Sequence, residues 1–283
     1  MIYFELKKFL SSKLENFSIE EKNRFILFLE NLFEKSLYNF TNKDFEKLKK
    51  YIKKYGSLIK KYPKNYPIEY ILKKTYFFGY KFFINENVLI PRKDTEHLVE
   101  IALGLVLKRK KLYGTQKIHI LDLACGSGCI GISLAKELKK KNISNFFICF
   151  SDISINALKV CKLNLKYHNL QFPLILQDSL KAVKEFKFDL ILSNPPYVER
   201  NSPFLEKSCL YEPKIALFGS LELLKLWAKE SYKVLKENGI YIFECAPYQV
   251  RSLKSFLKDL YTKVEIYVDY NQLPRGFICY KGL

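Results

Sequence analysis

Four consecutive residues, Asn194-Pro195-Pro196-Tyr197, form the segment that most directly suggests chemistry. They follow the apolar stretch FDLILS, and two successive prolines make the turn after that stretch rigid. The Asn194 side-chain carbonyl and the Pro195 backbone carbonyl are acceptors that can together hold a planar NH₂ group, which offers two donors. The Tyr197 ring can lie against the flat face of that group. We therefore predict a substrate-binding site at Asn194, Pro195, Pro196 and Tyr197, with Asn194, Pro195 and Tyr197 catalytic.

A second motif, LDLACGSGCIGISLA over residues 121–135, indicates a strand, a Gly-x-Gly turn and a helix. Gly126 and Gly128 allow the backbone to approach a ligand where a Cβ would clash. The helix start presents free N–H groups, and Asp122 is expected to point an acceptor at the same crevice. The motif lacks a full dinucleotide fingerprint, so it indicates only a nucleotide-like ligand. The predicted cofactor-binding residues of this turn are Ala124, Cys125, Gly126, Ser127 and Gly128.

Polar residues also follow the next two predicted strands. Asp152 is placed to accept hydrogen bonds from both hydroxyls of a ribose, although an aspartate there can equally cap the following helix. Asp178 and Ser179 are placed to meet an adenine ring or to form an ordinary turn. We add Asp152, Ser179 and Asn194 to the predicted cofactor-binding residues.

Alternating strands and helices must position these motifs. Strands are predicted at 118–124, 146–152, 173–178, 188–194, 239–245, 263–269 and 276–282, and helices at 129–141, 154–168, 220–237 and 247–260. This alternation indicates an α/β fold with a mostly parallel sheet covered on both faces. Ligands bind such sheets at the carboxyl ends of the strands. The motifs should therefore meet at one edge, next to a long loop over residues 199–219 whose length is typical of functional loops.

The first part of the chain has a different pattern. Apolar residues recur at spacings of three and four over residues 1–75, and Ser18 to Glu21 form a capping box, so we predict an N-terminal helical domain for substrate recognition. Aromatic and β-branched residues around Gly79 predict a β-hairpin linker over 76–90. The catalytic domain is then predicted to cover 91–283.

The charge balance is strongly basic. The chain has 48 Lys+Arg and 29 Asp+Glu, a net charge of +19, of which residues 1–80 carry 17 minus 9, or +8. A basic surface favours nucleic acid. Lys, Ile, Phe, Tyr and Asn are all abundant, however, as a genome-wide coding bias would produce. The charge therefore does not choose a substrate.

Other features restrict the class of protein. The seven cysteines form no CxxC pair and there are three histidines, which argues against a zinc site or a disulfide framework. No apolar run approaches the roughly 18–20 residues that a membrane span needs, and the first residues lack the apolar core of a signal peptide. We expect a cytoplasmic protein without a metal and without a membrane partner.

These segments together resemble the HemK/PrmC family of release-factor glutamine N5-methyltransferases over nearly the whole chain. Residues 67–100 are similar to the family's linker and PRxxTE signature, and residues 121–135 to its cofactor motif. NPPYV and YEPKIALFG (211–219) are similar to its substrate-loop pattern. NPPY also occurs in adenine-N6 and guanine-N2 methyltransferases, whereas the other two segments are more specific. The signature is carried by Pro91, Arg92, Thr95 and Glu96.

The resemblance implies a class I (Rossmann-like) S-adenosylmethionine-dependent methyltransferase with a seven-stranded, mostly parallel sheet, a small N-terminal helical bundle and a connecting β-hairpin. It implies S-adenosyl-L-methionine as cofactor and S-adenosyl-L-homocysteine as product. The implied reaction is transfer of a methyl group to N5 of the glutamine in the GGQ motif of class-1 peptide chain release factors, with no stable nucleic-acid complex. Two alternatives stay open: a nucleic-acid amino-methyltransferase acting on adenine N6 or guanine N2, and a non-catalytic adaptor of the same fold.

Three positions depart from the family pattern. Ala124 stands where a glycine is common, and PRKDTE replaces PRPETE while keeping Arg92, Thr95 and Glu96. The segment FECAPYQ has Cys245-Ala246 where a His-Gly pair is usual. The small alanine is expected to preserve cofactor binding, whereas any role at residues 245–246 stays open.

Overall fold

In the computed structural model of the chain, the described residues are 61–283 apart from 64, 114–115, 184, 201–204, 270–271 and 283, together with scattered residues between 8 and 48. The chain divides into two compact units, Met1–Thr75 and Tyr76–Leu283. Most of the predicted N-terminal helical bundle, including its capping box at residues 18–21, lies outside the described residues. The first unit contains a described helix, α1 (Ile68–Leu72).

The β-hairpin begins earlier and ends sooner than the predicted range of 76–90. Its strands are β1 (Lys74–Phe77) and β2 (Tyr80–Phe83). Phe78 and Gly79 between them have φ angles of 52° and 72°, and two successive left-handed residues match the tight turn that right-twisted strands favour. The polar stretch after β2 makes a separate turn, in which the Val88 N–H donates to the Asn85 carbonyl at 3.1 Å, so residues 84–90 extend no strand.

Seven strands form a single sheet in the order β5-β4-β3-β6-β7-β9-β8. The contacts from β5 to β7 are parallel, and β9 is antiparallel to both β7 and β8. The prediction of a seven-stranded, mostly parallel sheet is confirmed. The strands are β3 (Ile118–Leu123), β4 (Phe146–Asp152), β5 (Leu174–Leu176), β6 (Phe188–Ser193), β7 (Leu235–Glu244), β8 (Lys263–Val268) and β9 (Pro274–Tyr280).

Helices cover both faces of the sheet. They are α2 (Glu96–Tyr113), α3 (Cys129–Lys140), α4 (Ile155–Tyr167), α5 (Lys214–Leu217), α6 (Leu221–Val234) and α7 (Val250–Leu260). Side chains alternate across the central strands, because Ile120 and Leu190 belong to a core cluster with α2, α3 and α4, whereas Leu121 and Ile191 belong to a cluster with α6 and α7. None of the helices in the described part of the chain is both long and apolar enough to cross a membrane.

The sheet order places the predicted motifs at one point. The chain runs outward from β3 to β4 and β5, then returns to β6 on the other side of β3. The carboxyl ends of β3 and β6 are therefore the position at which the strand order reverses, where open α/β sheets bind ligands. The loop after β6 contains a 3₁₀ helix, Lys207–Tyr211, and the short α5.

Candidate active site

A cavity of 270 Å³ lies at the carboxyl ends of β3, β4 and β6. Seven of the eight residues predicted for a cofactor line it, namely Ala124, Cys125, Gly126, Ser127, Asp152, Ser179 and Asn194. Gly128 is the eighth and does not line it. Among the residues predicted to bind a substrate, Asn194 and Pro196 line the cavity. Their sequence neighbours Pro195 and Tyr197 do not line it.

The turn after β3 depends on backbone conformations that L side chains rarely adopt. Ala124, Gly126 and Gly128 have φ angles of 56°, 53° and 79°. At Ala124 this strain amounts to roughly 1–2 kcal/mol, which gives a physical reason for the glycine usual there. A Cβ added to Gly126 would meet open space, whereas one added to Gly128 would lie 2.6 Å from Cys161 Sγ. Gly128 is therefore restricted by packing against α4 rather than by a ligand.

The Asp152 carboxylate joins two parts of the cavity wall. Its Oδ2 accepts from the Gly126 N–H and its Oδ1 from the Ser154 N–H, both at 2.9 Å. Burial raises its pKa, and the hydrogen bonds from Ser154 and Gly126 act in the opposite direction. Ile153 next to it lines the cavity and is 48% exposed. An exposed apolar side chain beside a carboxylate, with open space at Gly126, fits a nucleoside.

Asp122 does not point into the crevice, contrary to the prediction. It is fully buried, and its Oδ2 accepts from the Gly131 N–H at 2.9 Å. Burial raises its pKa to about 7, with the Gly131 hydrogen bond lowering it and the charge of Asp152 raising it. The alternation of side chains along β3 explains the error, because Asp122 lies on the face that α3 covers. It anchors the start of that helix.

The Asn194 side chain is hydrogen-bonded to a residue of the PRxxTE signature. Its Nδ2 donates to Thr95 Oγ1 at 3.1 Å, and Asn194 and Thr95 both line the cavity. With Nδ2 occupied in this way, the Asn194 side-chain oxygen is the atom available to accept from a ligand in the cavity. The neighbouring prolines are buried. Thr95 belongs to the PRxxTE signature, but no local pattern in the sequence indicated this contact.

Residues 212–219, EPKIALFG, are called the EPxxALxG segment, and they pack on the turn at residues 194–197. The Val198 N–H donates to the Leu217 carbonyl, and the Gly219 N–H donates to the Val198 carbonyl, both at 3.1 Å. A Cβ at Gly219 would lie 1.8 Å from the Pro196 carbonyl oxygen. Only glycine permits this approach, which explains the glycine at the end of the segment.

The PRxxTE signature attaches to the rest of the catalytic unit through its charged residues. Arg92 donates to the Glu212 carboxylate, which also accepts from the Ile90 N–H at 2.9 Å. Glu96 accepts from the Phe78 N–H at 2.7 Å. The signature therefore fixes the hairpin, the start of α2 and the substrate loop relative to one another.

The departure at Cys245-Ala246 lies outside the cavity lining. Cys245 is buried in the core cluster of α6 and α7. The Ala246 N–H donates to Gln249 Oε1, and Gln249 Nε2 donates to the Tyr197 carbonyl, both at 3.0 Å. The segment therefore supports the turn at residues 194–197 through Gln249, and the replaced His-Gly pair corresponds to positions that are buried in this chain.

Several apolar residues of the cavity were not singled out from the sequence. They are Leu89, Ile153, Phe218, Leu223 and Trp227. Ile153 could have been identified from the sequence, because an apolar residue directly after a strand-end carboxylate is expected to be exposed in the loop. Trp227 could not have been identified, because it lies within the regular apolar pattern of α6. Among the described residues, no group of three His, Cys, Asp or Glu is arranged to hold a metal ion.

The sheet order, the Gly-x-Gly turn after β3 and the carboxylate at the end of β4 define a class I (Rossmann-like) methyltransferase. A family model, Methyltransferase small domain, matches residues 103–207. A solved structure, the T. thermophilus 16S rRNA N2 G1207 methyltransferase in complex with AdoMet and guanosine, has a TM-score of 0.52 at 14% identity and covers 74% of this chain and 49% of that chain. That likeness concerns the fold alone.

Curated relatives specify the family. The release factor glutamine methyltransferase of Borreliella burgdorferi is 36% identical over 236 residues, which cover 81% of this chain and 78% of the relative. The protein of the same name from Clostridium acetobutylicum is 31% identical over 256 residues, covering 87% and 86%. The chain belongs to the release factor glutamine methyltransferase family.

Proposed function

We propose that this chain transfers the methyl group of S-adenosylmethionine to N5 of the glutamine in the Gly-Gly-Gln motif of class-1 peptide chain release factors. The observation that carries this proposal is the Asn194 amide, whose Nδ2 is occupied by Thr95 at 3.1 Å while the residue lines the cavity. An oxygen presented there accepts an N–H, which suits a substrate with an NH₂ group. The names of the relatives supply the glutamine and the release factor.

The cavity residues fit the cofactor. S-adenosylmethionine, when bound, supplies a methyl group attached to a positively charged sulfur. In the proposal Asp152 accepts from the ribose hydroxyls, and the exposed Ile153 side chain contacts the adenine; both residues line the cavity. Ala124, Cys125 and Gly126, in the turn after β3, and Ser179, after β5, also line the cavity.

The proposed substrate-binding residues compensate for the low reactivity of an amide nitrogen. The nitrogen of a carboxamide is a weak nucleophile, because its lone pair is delocalised into the carbonyl. In the proposal the Asn194 oxygen accepts from one N–H, and the carbonyl of Pro195, a residue that does not line the cavity, is predicted to accept from the other. Two such acceptors return electron density to the nitrogen and fix its direction, and orientation alone contributes several kcal/mol to such reactions. The same fixed dipoles stabilise the positive charge that grows on nitrogen. The surplus proton is acidic after transfer and leaves to water.

Tyr197 has a second, structural connection. Its carbonyl accepts from Gln249, and its side chain packs against the core cluster of α6 and α7. Because Tyr197 does not line the cavity, contact of its ring with the flat face of the substrate amide stays a prediction. The buried prolines between it and Asn194 keep both residues in a fixed relation.

The test is a transfer assay with labelled S-adenosylmethionine. The full-length protein is incubated with a purified bacterial class-1 release factor, with the same factor carrying alanine in place of the Gly-Gly-Gln glutamine, and with total bacterial RNA. We expect label on the first acceptor alone. Equal labelling of the alanine variant would exclude that glutamine, and label on RNA in preference to the release factor would favour the nucleic-acid alternative.

A further inference from the structure

A small group of buried polar side chains lies beside the Asn194 amide. Asn194 and Glu244 directly follow Ser193 and Phe243, which are partners in the parallel pairing of β6 and β7. They therefore occupy neighbouring positions at the carboxyl edge of the sheet. Thr95, at the end of a 3₁₀ turn, and Glu244 are each only 2% exposed.

The Thr95 hydroxyl connects the other two groups. Its oxygen accepts from Asn194 Nδ2 at 3.1 Å, and the same hydroxyl lowers the pKa of the nearby Glu244 carboxyl, as a donor to that carboxylate does. An ionised carboxylate only accepts, so it fixes the direction of the Thr95 hydrogen and leaves the lone pairs of that oxygen for Asn194. Glu244 Oε1 is buried without a hydrogen-bond partner among the described residues, and this carboxylate does not line the cavity.

We propose that Thr95 and Glu244 are positioning residues for methyl transfer, which hold the Asn194 amide with its oxygen toward the substrate NH₂ group. This inference rests on the proposed function, since it assigns a purpose to the orientation of Asn194. Neither residue needs to touch the reacting nitrogen. Glu244 acts through Thr95, and Thr95 acts through Asn194.

The orientation needs such support because the two ends of an asparagine amide have nearly the same shape. A rotation of 180° would exchange the side-chain oxygen for an NH₂ group. The substrate would then face a donor with its own donors, and the hydrogen bond that directs its nitrogen would be lost. A hydroxyl alone permits both orientations of the amide, since it can donate as well as accept. A hydroxyl that donates its hydrogen to a carboxylate can only accept from the amide, so it permits one orientation.

The charge state of Glu244 makes the arrangement sensitive to pH. Burial raises its pKa to about 7, while the Thr95 hydrogen bond, the Arg275 charge and the Tyr197 hydrogen bond lower it and Asp94 raises it. As pH falls through this value the carboxylate becomes a carboxylic acid, which can itself donate to Thr95 and free the Thr95 hydrogen. The rate of transfer should therefore rise with pH through about 7. The titratable or charged groups that face Glu244 are Asp94, Cys129, Tyr197, Cys245, Tyr267 and Arg275.

The experiment compares Thr95→Val, Thr95→Ser and Glu244→Gln with the wild-type protein, using release factor and S-adenosylmethionine. We expect Thr95→Val to lower kcat by about 10- to 100-fold, somewhat less than the loss of a direct contact. Thr95→Ser keeps the hydroxyl and should restore most of the rate. Calorimetry with S-adenosylhomocysteine should give the same affinity for all three variants, since a positioning role spares the cofactor. Melting temperatures identify any variant that is unfolded.

The pH profile of kcat separates this role from a merely structural one. Wild type and Thr95→Ser should show a rise near pH 7 that Glu244→Gln lacks. Asp122→Asn is the matched control, because Asp122 is also a buried carboxyl with a pKa raised to about 7 but contacts Gly131 instead. This control should keep the rise. If Thr95→Val does not fold, the profile of Glu244→Gln decides the matter.

The outcomes for the two proposals are distinguishable. If the wild type labels RNA and not the release factor, the proposed function fails, and the variants are compared on RNA because an exocyclic NH₂ requires the same orientation of Asn194. A wild type inactive on both acceptors overturns both proposals. An active wild type, together with a Thr95→Val rate equal to it or a rise near pH 7 that persists in Glu244→Gln, overturns the positioning role alone.

Discussion

Arg92 and Glu212 form an ion pair although 120 residues separate them in sequence. The Glu212 side chain is 1% exposed and the Arg92 side chain 38% exposed, so the carboxylate is buried and the guanidinium reaches it from the surface. Glu212 also accepts from the Ile90 N–H. The two segments that carry the family resemblance most specifically, PRxxTE and EPxxALxG, are thus joined to each other.

Removal of Arg92 should destabilise the catalytic unit. Arg92→Ala leaves the buried Glu212 carboxylate with the Ile90 N–H as its remaining donor among the described residues, and an unsatisfied buried polar group costs about 1–3 kcal/mol. For a unit of this size we expect the melting temperature to fall by roughly 2–4 °C for each kcal/mol. Scanning calorimetry measures the change. The double variant Arg92→Ala/Glu212→Gln should recover part of it, and a double variant as unstable as the sum of two single losses would argue against the pairing.

Replacement of Asn194 should separate turnover from cofactor binding. Asn194→Ala removes the acceptor for the substrate amide, and loss of one such group typically lowers kcat by about 10²–10³-fold. Asn194→Asp keeps an acceptor and should retain partial activity. S-adenosylhomocysteine affinity should stay within a few-fold of wild type in calorimetry. Asn156→Ala, at an exposed position on α4, is the matched control. Near-normal turnover of Asn194→Ala would show that Asn194 does not hold the substrate amide.

Replacement of Asp152 should act on the cofactor. Asp152→Ala removes the acceptor for ribose and also those for the Gly126 and Ser154 N–H groups. A hydrogen bond to a charged group contributes about 1.5–3 kcal/mol, so S-adenosylhomocysteine affinity should fall by at least about tenfold. The affinity of Asp152→Asn should lie between those of Asp152→Ala and wild type. If calorimetry shows unchanged affinity and only the melting temperature decreases, Asp152 caps a helix and does not bind ribose.

Much of the sheet could be predicted from the sequence because its central strands are continuous apolar runs. β3 and β4, predicted at 118–124 and 146–152, have the bounds Ile118–Leu123 and Phe146–Asp152. β7 was predicted at 239–245, which begins four residues too late. It begins at Leu235, and its first half passes through the charged and polar residues 236–238, which give no strand pattern. The preceding helix was predicted at 220–237 and so included the first residues of this strand.

The candidate site was predictable where its residues are consecutive and not where they come from distant segments. The turns at residues 124–128 and 194–197 carry their own backbone constraints, so each could be recognised locally. The contact of Thr95 with Asn194 joins residues 99 positions apart, and the sequence names the two residues without linking them. Cys245 was a doubtful position in the sequence, and only the packing of β7 shows that it belongs to the core.

Asp122 should make the protein less stable as pH rises. Burial raises its pKa to about 7 in the folded state, whereas a carboxyl in an unfolded chain titrates near ~4. At a pH between these two pKa values, Asp122 keeps a proton in the folded chain that it has released in the unfolded chain. The free energy of unfolding therefore decreases with increasing pH. Asp122→Asn keeps an acceptor for Gly131 and removes this proton. Its melting temperature relative to wild type should increase from about pH 5 to about pH 8.

A second carboxyl contributes to the pH dependence of the wild-type stability. Glu244 is also a buried carboxyl with a raised pKa, so Asp122→Asn should reduce the slope of wild type without removing it. Identical slopes in Asp122→Asn and wild type would show that Asp122 does not retain its proton on folding.

The last prediction concerns residues 1–75, which form a separate compact unit with 17 Lys+Arg and 9 Asp+Glu, a net charge of +8. The described residues that line the cavity all lie in the other unit. A glutamine is a common side chain, and the few residues around Asn194 cannot select one among many. Selectivity must therefore come from contacts away from the reacting nitrogen, which also contribute to orienting it. We propose that residues 1–75 supply such contacts.

A shortened protein beginning at Lys74, the first residue of β1, tests this role. We expect normal affinity for S-adenosylhomocysteine, with a raised KM and a lowered kcat for intact release factor. A short peptide containing Gly-Gly-Gln is the matched acceptor, since it offers no distant contacts and should be methylated equally by the two proteins. The full-length enzyme should also lose activity on release factor as salt screens its charge. Circular dichroism confirms folding, and a folded shortened enzyme that modifies intact release factor at the full-length rate would show that residues 1–75 do not select the substrate.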